Sequence, residues 1–184
     1  MEHTQRRTCR KFTKEPVSKT DMDALLLAGR SAPTARNMQP LRFYVLTNTE
    51  FIAKVADECQ DTIFNLNPTL YTERMSSLGV KSILTYDCPS AIIITVEKSN
   101  KSYAEINAGF AAQNILVAAS ILGLATVPIG IITLVADKWL NALHKESKTD
   151  IDEDLLLMIA IGHPDTKFVE NLPKKVLSSD VVLI

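Results

Sequence analysis

The chain has 184 residues, 46% of them apolar, and twenty Lys+Arg against twenty-one Asp+Glu leave it at a formal charge of −1. The length suits one domain, taken as 1–184, with enough apolar residues for a sizeable core. The balanced charge argues against a nucleic-acid binder, which spreads excess positive charge over one face. Cys9, Cys59 and Cys88 are widely spaced and form no C-x-x-C pair, which argues against a disulfide framework or a zinc or other metal site and fits a reducing cytoplasm. Charged residues fill the opening positions and no apolar run follows them, the opposite of a signal peptide.

In chain order, Arg6-Arg7-Thr8-Cys9-Arg10-Lys11 gathers four cations and a hydroxyl in one short segment. A solvated basic arm is one reading. Phe12 and the turn-forming Glu15-Pro16-Val17 favour another, in which the segment docks on the folded body and presents guanidinium groups to a single phosphate. Ser18 with Asp21 three residues on predicts a helix start, and Met22, Leu25, Leu26 and Gly29 carry the helix to about Arg30. A small, amide-rich loop from Ser31 to Pro40 leads to a strand over Leu41–Thr47. Thr49 is the expected cap of a second helix with Phe51, Ile52, Val55, Ala56 and Cys59 on one face, and 65–86 shows no period.

Ala91–Val96 is a continuous β-branched run, the pattern of a central strand buried on both faces. From Ala104 to Leu124 the chain is nearly all apolar. About twenty helical residues would span roughly 30 Å, but Asn107, Gln113 and Asn114 interrupt the run and no basic cluster flanks it, so a buried helix at a subunit interface is expected instead of a membrane span. Gly123 closes it, and Ala125–Gly130 is a short extended piece. An amphipathic helix over 136–145 and a buried strand over Leu155–Gly162 follow, with His163-Pro164-Asp165 turning away. The tail carries Lys174-Lys175 and ends in an apolar run expected as a final strand, open to joining a partner's sheet. His3, His144 and His163 are expected at surfaces or in turns.

Four segments in order resemble the nitroreductase family of flavin-dependent oxidoreductases. Residues 6–12 are similar to its opening R-R-S-x-R-x-F, and 32–40 to its A-P-S-x-x-N-x-Q-P loop. Residues 109–114 are similar to its G-x-A-x-Q-N helix, and Val127-Pro128-Ile129-Gly130 with Ile161-Gly162-His163-Pro164 to its P-I-G and I-G-x-P turns. The resemblance implies an α+β fold with a central mixed or antiparallel sheet flanked by helices, a long buried helix at a homodimer interface, and FMN at the subunit junctions.

Carried over by position, it implies that Arg6 and Thr8 grip the FMN phosphate with help from Arg7, Lys174 and Lys175. Arg10 would approach the pyrimidine edge of the ring. Thr34, Ala35, Arg36 and Asn37 would reach the flavin from the other subunit, and Pro128, Ile129 and Gly130 would pass beside the ring with a backbone N–H toward N5. Asn37, Gln39, Pro128 and Gly130 also have an ordinary reading, as residues that satisfy a loop or make a turn. Thr8 keeps the hydroxyl where serine is commoner, whereas Leu41 replaces a frequent aromatic and Arg36 puts a cation in the flavin-facing loop.

The implied activity is hydride transfer from NADH or NADPH through FMN N5 to a nitroaromatic, quinone or similar small acceptor, with ping-pong kinetics and no catalytic side chain. The alternatives are a flavin-dependent dehydrogenase or dehalogenase of one metabolite and a non-catalytic FMN-binding protein.

Overall fold

Ile92, Ile93 and Ile94 are each fully buried because the strand that carries them, β2 (Ser90–Glu97), has strands on both sides and helices on both faces. In a computed structural model, which describes residues 6–172 and 182, it pairs with β1 (Leu41–Leu46) and β4 (Glu153–Gly162), while β3 (Ala125–Ile129) forms the other edge. The order is β1-β2-β4-β3 and every pairing of these strands is antiparallel. Alternate residues serve two cores. Ile92, Ile94, Ile159 and Ile161 pack under α1 (Lys19–Arg30) and α4 (Ala104–Ile121). Ala91, Ile93, Met158 and Ala160 pack under α2 (Thr49–Phe64) and α5 (Ala136–Ser147), where Trp139 is fully buried.

The helix starts follow capping chemistry. Ser18 Oγ accepts from Asp21 N at 3.0 Å, as the sequence predicts. The second helix is capped one residue earlier than expected: Asn48 Oδ1, not Thr49, accepts from Glu50 N and Phe51 N. The unpatterned stretch contains a helix, α3 (Pro68–Leu78), begun by Asn67 with Pro68 in the first turn and ended by left-handed Gly79. None of its residues is fully buried; Tyr71, Met75 and Leu78, at i, i+4 and i+7, rest half-buried on the core, a short helical period that the polar residues around it hide. A last short helix, α6 (Thr166–Glu170), follows β4. The expected tail strand, Lys174 and Lys175 lie outside the described residues.

The inner side of α4 is lined by Ala104, Ala108, Ala111, Ala112 and Ile115, which lets it lie close to the sheet and α1. Its outer side is also apolar: Ile106 is 56%, Phe110 49% and Ile121 63% exposed. Among the described residues no helix is long and apolar enough to cross a membrane.

One polar cluster sits inside the sheet. The Glu153 side chain is fully buried and accepts hydrogen bonds from Tyr44 Oη and Thr95 Oγ1 at 2.5 Å each, and His144 Nε2 lies 2.7 Å from it. Arg42 Nε is 3.6 Å away. Burial would raise the Glu153 pKa, but the bonds from Thr95, Tyr44 and His144 outweigh it and hold the carboxyl below its usual value. His144 is therefore not the surface residue expected from the sequence; it ties α5 to the sheet.

Candidate functional site

The basic segment does dock. Thr8 bridges Thr126 on the open edge of β3, Cys9 N donates to Thr126 O at 3.1 Å, and Phe12 bridges Pro164 just past β4. Thr13 N donates to His163 O and Asp165 N to Lys11 O, so the segment is pinned at both ends. Gly162 makes room for it: a Cβ there would stand 2.7 Å from Pro89 Cδ and 3.0 Å from Phe12 Cδ1. The isolated parallel bridge at Thr8 lengthens the sheet beyond β3.

This docking brings Arg6, Arg7, Thr8 and Arg10 beside the strand that carries Pro128, Ile129 and the following Gly130. The cations are under-used there. Arg6 is half-buried and makes only 3.4 Å contacts, to Arg7 O and Thr8 Oγ1. Among the described residues no carboxylate pairs with it. Its burial lowers its pKa, the mark of a desolvated cation. Arg10 has its guanidinium carbon 6.0 Å from the Tyr86 ring centroid, within reach of a cation–π contact, and its Nε is buried without an acceptor. Half-buried guanidinium groups with spare donors beside a hydroxyl fit a bound phosphate or other anion. No local sequence pattern marks Tyr86. It lies in a turn where Asp87 accepts from Lys81 N and Ser82 N, and where Tyr86 and Asp87 have φ of 51° and 52°.

The loop residues Thr34, Ala35, Arg36 and Asn37 are elsewhere. They lead into β1, the opposite edge strand, and Leu41 pairs with Val96, which pairs with Asp154 at the far end of β4 from Pro164. Across the sheet alone, three strand spacings amount to about 14 Å. The loop is strained: Arg36, Asn37 and Gln39 have φ of 54°, 53° and 47°, a conformation costing ~1–2 kcal/mol for residues other than glycine. Thr34 Oγ1 accepts from Gln39 N, and Asn107 Oδ1 on α4 accepts from Ala35 N at 3.2 Å. Within one chain, then, the structure unites the basic segment with Pro128, Ile129 and Gly130 but not with this loop.

No thiol here is poised for attack. Burial pushes Cys88 up to about 12 and raises Cys9 and Cys59 as well.

The same fold occurs in solved proteins. A nitroreductase from Bacteroides fragilis, solved with bound FMN, superposes with a TM-score of 0.80 at 19% identity, covering 100% of this chain and 96% of that one. A nitroreductase from Desulfitobacterium hafniense, also with bound FMN, gives 0.80 at 22% identity and covers 100% and 99%. A putative NADH oxidase from Clostridium acetobutylicum gives 0.66 at 23%, covering 92% and 90%. Sequence carries the assignment further than shape does, because a model of the nitroreductase family matches residues 4–163, from before the basic segment to the turn that receives Phe12. The chain belongs to the nitroreductase family.

Proposed function

We propose that this oxidoreductase binds FMN through one domain, 1–184, and passes a hydride from NADH or NADPH to a nitroaromatic, quinone or similar small acceptor, acting as a cytoplasmic homodimer with ping-pong kinetics. The observation that carries the reading is the docked basic segment, whose half-buried Arg6 and Arg10 keep unused donors beside Thr8 and Pro128–Gly130. Two relatives of the same fold were solved with FMN.

When bound, FMN would supply the redox chemistry, hydride exchange at its N5. The chain supplies placement. Arg6 and Thr8 hold the phosphate with Arg7, Lys174 and Lys175. Arg10, backed by Tyr86, sets a fixed cation at the pyrimidine edge of the ring and favours its reduced form. Pro128, Ile129 and Gly130 line the ring with rigid edge backbone. Thr34, Ala35, Arg36 and Asn37 belong to the site of the other subunit, which accounts for their distance from the basic segment of their own chain. The apolar outer face of α4 is the surface along which two copies meet, an exposed stripe of the kind that marks an interface.

The test is anaerobic mixing of the flavin-loaded protein with NADH and with NADPH. Bleaching of the flavin band by at least one donor, and parallel double-reciprocal lines when an acceptor is varied, are expected. Bleaching by neither donor would make the chain a flavin-binding protein without this activity. Reoxidation by one metabolite, with nitroaromatics and quinones inert, would favour the dehydrogenase or dehalogenase reading.

A further inference from the structure

Asn107 is 2% exposed and sits on the inner side of α4, where its neighbours Ala104, Ala108, Ala111 and Ala112 fill the same face with methyl groups. Packing alone gives no reason for an amide there. Its Oδ1 accepts from Ala35 N, seventy-two residues away in sequence, while its Nδ2 is buried without a partner. The orientation is fixed because a backbone N–H can only donate, so the oxygen must face Ala35. The unpaired amide nitrogen is a cost that alanine would avoid.

What the cost secures is visible in the loop. Asn37 N donates to Thr34 O, Met38 N to Ala35 O, Gln39 N to Thr34 Oγ1 and Gln39 Nε2 to Asn37 Oδ1, all within the loop. Among the described residues, the bond to Asn107 is the one hydrogen bond that joins residues 34–39 to the rest of the protein. Three residues at positive φ persist only where surroundings hold them. Next to Asn107, Ile106 faces outward on the stripe assigned to the subunit interface.

We propose that Asn107 is a positioning residue: by taking the Ala35 N–H it fixes the strained 34–39 loop to the helix that packs against the second subunit, and so sets where the loop meets the flavin. The inference rests on the reading of that loop as flavin-facing. Asn107 touches no flavin itself; flavin affinity depends on it through the loop. A second amide on the same helix acts likewise on α1, since Asn114 Nδ2 donates to Ala28 O at 3.1 Å.

The experiment compares wild type, Asn107→Leu, Asn107→Asp and Ala35→Pro as flavin-loaded full chains. Asn107→Leu keeps the branched shape and removes the acceptor; Asn107→Asp keeps an acceptor. Ala35→Pro removes the donor and sets a ring carbon where the N–H faces Asn107, so the bond cannot form; the backbone accepts proline there because Thr34 is extended, with φ −128° and ψ 151°, and Ala35 opens a 3-10 turn. It also keeps the test open if the leucine variant does not fold. Hydrogen exchange by mass spectrometry reads the loop, and fluorescence titration reads FMN affinity.

In Asn107→Leu and Ala35→Pro, peptides covering 36–39 exchange roughly tenfold faster while β2 and β4 keep their protection, and the FMN Kd rises roughly tenfold, the equivalent of one hydrogen bond. Asn107→Asp restores both. Unchanged loop exchange in the first two variants, or equal damage from the aspartate, overturns the assignment. Faster loop exchange with an unchanged FMN Kd instead overturns the reading of the loop as flavin-facing.

Discussion

Replacing Glu153 with glutamine changes little in volume and tests the buried cluster directly. The wild-type carboxylate accepts from Tyr44, Thr95 and His144 at 2.5, 2.5 and 2.7 Å, with Arg42 at 3.6 Å. Hydrogen bonds to a charged group contribute ~1.5–3 kcal/mol each and neutral ones ~0.5–1.5, so losing the charge costs about 1 kcal/mol per bond and about 3 kcal/mol in all. Against a total stability of ~5–15 kcal/mol that is a large fraction, read as a fall of roughly 6–12 °C in Tm. Urea unfolding at fixed protein and flavin concentration gives the difference at pH 7 and again on acidification.

The sign follows from the lowered pKa of Glu153 in the folded state. Its contribution is complete above the unfolded value of ~4.3 and is lost as pH falls through the folded value, whereas glutamine is indifferent. The gap between the two proteins is therefore widest at neutral pH and closes in acid. A gap under about 1 kcal/mol at pH 7, or one that widens on acidification, would refute the reasoning.

Gly162→Ala drives a methyl against Pro89 and Phe12; overpacking costs ~1–3 kcal/mol, and because Phe12 anchors the basic segment, flavin binding weakens along with Tm, both checked by thermal melts and titration. Arg10→Ala lowers the flavin reduction potential by roughly 30–60 mV, the equivalent of ~1.4–2.8 kcal/mol for a two-electron couple; an unchanged potential removes Arg10 from that role. Phe110→Asp puts a charge on the exposed stripe of α4 and yields monomers in gel filtration with roughly tenfold or more loss of flavin affinity, while a dimer of unchanged affinity would place the interface elsewhere.

The sheet was legible because its central strands are buried on both faces: the runs at Ala91–Val96 and Leu155–Gly162 need no partner to be recognised. The docked segment was legible through Phe12, an aromatic residue out of place in a solvated arm. The helix α3 was not, since its packed face is only the half-buried Tyr71, Met75 and Leu78 among polar residues, although Asn67-Pro68 and Gly79 marked both its ends. Glu153 escaped notice because a carboxylate opening a strand reads as a solvated end; its donors lie on β1, β2 and α5, and only tertiary structure brings them together. Asn107 was noticed as a break in an apolar helix, and an amide among alanines was the available signal for its bond to Ala35. The separation of Thr34–Asn37 from Arg6–Arg10 follows from strand order, which no local pattern encodes.

The central claim is that the docked basic segment holds the phosphate of FMN. Titrating the flavin-free protein with FMN and with riboflavin, which differ in that group alone, measures it. Two charge-assisted contacts at ~1.5–3 kcal/mol each predict FMN binding roughly 10²–10⁴-fold tighter, with the gap narrowing to roughly 10–10²-fold in Arg6→Ala. Equal affinities in the wild type, or a gap untouched by losing Arg6, would contradict it.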